Sequence, residues 1–106
     1  FFSVKEIISP ELVRLNNELT IRLIGIKQNP QIKEKATEYL INKLRGKKVF
    51  LKYDEVKHDK ENNLMAYLYL ENKTFINAHL LKENLALVDN SIDFKYKTKF
   101  NTFING

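Results

Sequence analysis

A chain of 106 residues, 43% apolar and 29% charged, is long enough for one domain with a real core and has the balance of a soluble globular protein. It holds no run of about 18 apolar residues and no cysteine, which excludes a membrane-spanning helix, disulfides and thiolate chemistry. Its net charge of +5 favours polyanionic partners. The opening F-F-S-V-K-E lacks the shape of a secretion signal and there is no initiator Met. We therefore expect a single unit over 1–106, excised from a longer chain and working in the cytoplasm.

In chain order, Val4–Ile8 reads as a strand, Pro10 as the start of a turn, and Leu12–Leu15 as a second strand. Asn16-Asn17 is a turn signal, and Leu19–Ile26 (L-T-I-R-L-I-G-I) follows as the central strand of a three-stranded meander. Arg22 is the only charge in that run. Left unpaired and buried it would cost several kcal/mol, so it must reach a groove or a partner. Gly25 inside the run predicts a bulge or sharp bend.

Asn29 then caps a helix that opens on Pro30, carries Ile32, Ala36, Tyr39, Leu40 and Leu44 on one face, and stops at Gly46. Lys47–Tyr53 alternates as a half-solvated strand, and the charged stretch Asp54–Asn63 reads as an exposed loop. Leu64–Leu70 is the second central strand. Glu71–Lys73 turns the chain into a short helix over Asn77–Glu83, with Asn77 as its cap and Asn84 ending it. Leu85–Val88 returns to the sheet. Ser91 is expected to cap a last helix in which Ile92, Tyr96, Phe100, Phe103 and Ile104 share a face. Five or so short curled strands, with a helix after the third, suggest a mainly β protein with helices: a small closed barrel of the oligonucleotide/oligosaccharide-binding type.

Four stretches, I-R-L-I-G-I at 21–26, L-R-G-K-K-V-F-L-K-Y-D at 44–54, L-M-A-Y-L-Y-L at 64–70 and F-I-N-A-H-L-L-K-E-N-L-A-L-V at 75–88, resemble the staphylococcal-nuclease-like (thermonuclease) domains in wording and spacing. That resemblance runs from about Val4 to Val88 and implies a five-stranded barrel of oligonucleotide-binding type with about three helices. The stretch D-E-V-K-H-D-K-E-N-N and the ending D-F-K-Y-K-T-K-F look like the version appended to bacterial DNA methyltransferases of restriction–modification systems.

The family implies phosphodiester hydrolysis in which carboxylates hold calcium, another carboxylate activates water, and two arginines hold the phosphate. Phosphoryl transfer of this kind is mostly positioning and electrostatic stabilisation, and a hard cation wants oxygen ligands. Carried over residue by residue, the first metal-ligand aspartate falls on Glu11, in S-P-E-L where the family reads D-G-D-T. The central-strand arginine is retained as Arg22. The second metal-ligand aspartate becomes Lys27. The catalytic glutamate falls on Pro30, or on Gln31 if one residue is inserted, and the second arginine becomes Asn63. One carboxylate of three and one arginine of two remain. Losing a general base costs about 10²–10⁴-fold and losing a charge-stabilising donor about 10²–10³-fold. We expect a degenerate catalytic site, no cofactor in this domain and no calcium; only Glu11 is left as a metal ligand.

The remaining candidates carry two readings each. Arg22 binds a phosphate or pairs with Glu11 or another carboxylate at the barrel mouth; Lys27 contacts a phosphate or is an ordinary turn lysine. Arg45, Lys47, Lys48 and Lys52 form either a solvated face or a nucleic-acid track. Tyr67 and Tyr69, on one strand face, are either core or a platform for base stacking. His58 and His79 read as surface or capping residues. The Phe-rich terminal helix covers the barrel or docks on a partner such as an N-terminal methyltransferase domain. The expected function is a DNA-binding accessory module within a DNA-modifying enzyme. The alternatives are a protein-interaction or structural domain, and a weak calcium-dependent nuclease.

Overall fold

In β2 (Leu12–Leu15) and β3 (Thr20–Leu23) every second side chain is buried, so Val13, Leu15, Ile21 and Leu23 enter one interior. With β1 (Phe2–Ser9) these strands make the expected antiparallel meander. In this computed structural model, which describes residues 1–104, β3 also pairs in parallel with β6 (Leu64–Leu70). β6 pairs antiparallel with β5 (Lys48–Lys52), and β5 returns to β1. The result is a closed five-stranded barrel in the order β1-β2-β3-β6-β5, with three α-helices. β6 is buried along nearly its whole length, as its continuous apolar run requires.

The run 19–26 is not one strand. Gly25 takes φ +78°, a left-handed conformation that L side chains rarely adopt, and this ends β3 at Leu23. The chain resumes as β4 (Ile26–Lys27), which pairs with β7 (Leu87–Val88) in a separate two-stranded sheet beside the barrel. Leu85–Val88 therefore returns to β4 and not to the barrel wall. A Cβ on Gly25 would lie 2.6 Å from Phe94 Cζ and 3.0 Å from Phe100 Cδ2, so glycine is required by space as well as by φ.

Asn29 caps as expected, accepting from the Gln31 N–H at 3.1 Å. The first turn at Pro30–Ile32 is 3₁₀, and α1 (Lys33–Leu44) continues it with Ala36, Leu40 and Leu44 buried. Gly46 at φ +68° closes it.

Asn77 does not cap α2 (Ile76–Lys82); Phe75 stands at that position without a side-chain bond. Asn77 is wholly buried, accepts from the Leu68 N–H at 2.8 Å and donates to the Ile24 carbonyl at 3.0 Å. The broken β3–β4 run leaves a carbonyl without a ladder partner, and Asn77 satisfies it. Ser91 likewise opens no helix. Its N–H donates to Asp89 Oδ1 at 3.1 Å, Ile92 lies in irregular chain, and α3 spans Lys97–Ile104. Phe100 of α3 is fully buried, with its ring within about 6 Å of the Phe75, Phe94 and Tyr96 rings. The aromatic face of α3 thus packs against α2 and the β4–β7 sheet.

Candidate functional site

Because Ile21 and Leu23 face inward, Arg22 points to the opposite side of β3, opposite Leu12 of β2 and beside Met65 of β6. Its side chain retains about a quarter of its exposure. Three carboxylates meet it there. Glu11 comes from the β1–β2 turn at 3.5 Å, Asp59 from the β5–β6 loop at 3.8 Å, and Asp89 from the segment after β7 at 3.8 Å.

Each carboxylate is placed by backbone bonds before it reaches Arg22. The Glu11 N–H donates to Ser9 Oγ, the Glu11 carbonyl accepts from the Leu23 N–H, and Glu11 Oε2 accepts from the Gln28 N–H at 2.7 Å. Asp59 accepts from the N–H groups of Glu61 and Asn63, both at 2.9 Å, and from Asn63 Nδ2 at 3.1 Å. The Asp89 N–H donates to the Gly25 carbonyl at 2.9 Å, so the glycine that breaks the central run also anchors an acid of the cluster. Burial works against the charge on Asp59, but the Asn63 and Glu61 hydrogen bonds and the Arg22 guanidinium outweigh it and lower its pKa. Three acids against one base leave the cluster with an excess of negative charge.

Glu11, Arg22 and Lys27 line one recess, while Asn63 joins the site through Asp59. Lys27 is exposed on β4 and, among the described residues, makes no ion pair; Glu11 pairs with Arg22 instead. Gln31 is exposed on the 3₁₀ turn and does not line that recess. Arg45, Lys47, Lys48 and Lys52 are all exposed, around the end of α1 and along β5.

Tyr67 and Tyr69 are not a stacking platform: they are 2% and 9% exposed. Tyr69 is stacked between Phe50 and Phe75, with centroids at 5.1 and 4.5 Å, and Tyr67 meets Phe75 and Tyr96 edge to face. The two tyrosines are covered by Phe50 of β5 and by Phe75 and Tyr96, which stand just before α2 and α3. The Tyr67 hydroxyl donates to Asp54, which also accepts from the Lys95 N–H, tying the β5–β6 loop to the segment before α3. Burial, together with the Asp54 carboxylate, pushes the Tyr67 hydroxyl far above the usual phenol range.

The residues missed at the sequence level are Asp59 and Asp89. Neither has a local distinction: the β5–β6 loop brings Asp59 to Arg22, and the pairing of β4 with β7 brings Asp89. The one local signal is Asp59 with Asn63 four residues on, a spacing that lets an aspartate fold a loop around its own carboxylate.

A comparison with curated proteins found no match. The family model for staphylococcal nuclease homologues matches residues 2–104, and the chain belongs to that family.

Proposed function

We propose that this staphylococcal nuclease homologue no longer hydrolyses phosphodiesters and serves as a cytoplasmic DNA-binding accessory module of a larger DNA-modifying enzyme, a DNA methyltransferase of restriction–modification type. The observation that carries the loss of hydrolysis is the enclosure of Arg22 by Glu11, Asp59 and Asp89. A guanidinium ringed by three carboxylates at 3.5–3.8 Å meets a phosphate only in competition with them, and a cation approaching those carboxylates meets the guanidinium. Lys27 adds a cation beside the same recess, and neither Asn63 nor Gln31 can act as a base or supply a permanent positive charge. A cation here would share its carboxylates with Arg22 and lie beside Lys27. A weak calcium-dependent nuclease is the poorer reading for the same reason.

Support for DNA as partner comes from the exposed bases Arg45, Lys47, Lys48 and Lys52, the first three set away from the acidic cluster, and from the net charge of +5. Such binding is electrostatic, largely independent of sequence, and falls steeply with salt. Docking on a methyltransferase domain through the Phe-rich helix is less favoured, since Phe100 is turned wholly into the core. The test is fluorescence anisotropy of a labelled duplex with wild type and with Lys47→Ala/Lys48→Ala. We expect the double variant to bind at least several-fold more weakly and with a shallower salt slope. Unchanged affinity would remove this surface from the proposal.

A further inference from the structure

Beyond the Arg22 cluster an open groove of about 1130 Å³ runs between the β5–β6 loop and the segment that precedes α3. We propose that it is a docking slot for an extended lysine- or arginine-bearing segment of a partner protein. Its charge is opposite to that of the molecule as a whole: six carboxylates line it (Asp54, Glu55, Asp59, Glu61, Asp89 and Asp93) against three permanent cations, Arg22, Lys60 and Lys95, in a protein of net charge +5.

The carboxylates divide by their engagement. Asp59 and Asp89 are held by Arg22, and Asp54 by Tyr67 and the Lys95 N–H. Glu55 and Glu61 make no ion pair among the described residues, and Asp93 reaches only Lys97, from a fully exposed side chain. The structural acids thus sit on the inner wall, and uncommitted ones stand at the rim. Between them lie apolar surfaces without a covering partner: Val56 is 60% exposed and Tyr53 49%, while Ile24, Met65 and Phe94 contribute to the wall.

That combination selects the occupant. A long basic side chain lays its aliphatic stem on apolar surface and keeps its charged head in polar surroundings, and here Glu55 and Glu61 provide the counter-charge. Tyr53 offers a ring face for a cation. A nucleic acid presents the opposite chemistry, with phosphates set against a wall of like charge. Bases on a second copy of this barrel are carried on a folded strand and helix end, whereas an extended segment can lay side chains on both Val56 and the rim carboxylates. Arg45, Lys47 and Lys48 lie at the end of β5 away from the groove, so DNA held there leaves the groove open to a basic segment.

The test is anisotropy of a short labelled peptide alternating lysine with leucine, set against the same peptide with glutamate in place of lysine. We expect salt-sensitive binding of the basic peptide alone, weakened roughly three- to tenfold in Glu55→Gln/Glu61→Gln, since each exposed pair contributes modestly. Val56→Ser should weaken it as well, whereas Lys47→Ala/Lys48→Ala should leave it unchanged. Equal binding of the acidic peptide, or equal affinity of both groove variants, would overturn the proposal. Self-association seen by light scattering and lost in the double glutamine variant would overturn it in favour of a second copy. DNA affinity lost in that variant would overturn it in favour of nucleic acid. The DNA reading fails through Lys47 and Lys48 and this one through Glu55 and Glu61, so the two are separable.

Discussion

Arg22 decides between two kinds of site, and its energetics differ in each. A phosphate-binding arginine with a free head could be removed at little cost in stability. Here its removal leaves Glu11, Asp59 and Asp89 facing one another while half buried, which should destabilise the fold by about 2–4 kcal/mol near neutral pH. Urea unfolding of Arg22→Ala, compared at constant m-value, measures this directly. A loss below about 0.5 kcal/mol would mean that the cluster is incidental. The hydrogen-bonded carboxylates of the β5–β6 loop also have a pH signature. Asp59 and Asp54 are held below the ordinary carboxylate range by the hydrogen bonds they accept, so the unfolded chain binds their protons more readily than the folded one. The stability they provide is fully present above the unfolded value of about 4 and is lost as pH falls through the lower folded values. Thermal unfolding between pH 6 and pH 2 should therefore show a falling midpoint, and Asp59→Asn should flatten that fall.

At this scale the sequence was legible in one direction only. Arg22 stands out in the sequence because a lone charge in an apolar strand must be compensated, and Glu11 is one of the partners the sequence offers it. Asp59 and Asp89 were not foreseen, because they are local turn builders until the folded chain brings them to Arg22. Asn77 misled for a related reason. Its residue type is equally suited to capping a helix and to satisfying a buried carbonyl, and only the break at Gly25 creates that carbonyl.

Among the elements, the interrupted central run has the most consequence. Gly25 lets β3 stop and β4 turn out to meet β7, and its carbonyl takes the Asp89 N–H. Gly25→Ala should cost about 2–4 kcal/mol, from the left-handed φ and from a methyl group set against the Phe94 and Phe100 rings. Denaturant titration would show it, and a cost under about 1 kcal/mol would contradict the close approach of Phe94. The barrel strands and α1 were legible because their periodicity and caps are local. The bend at Gly25 was expected, but not that it would divide the run into two sheets. The tyrosines of β6 are ambiguous because a strand face cannot declare what covers it; Phe75, just before α2, and Tyr96, just before α3, supply the covering rings.

Over the whole molecule the charges are segregated. β5 runs from Lys48 toward the groove that opens at Tyr53 and Asp54, so Arg45, Lys47 and Lys48 stand at the end of β5 away from the acidic wall, while Lys52 lies next to it. On the reading proposed above, a barrel of this family with its arginine ringed by carboxylates, a basic end and an acidic groove holds partners and does not cut them. The most direct measurement follows one labelled DNA oligomer with the protein at low and high salt, each with and without calcium, reading anisotropy and oligomer length together. The account predicts salt-sensitive binding with unchanged length in every condition. Calcium-dependent shortening that disappears in Glu11→Gln would contradict it.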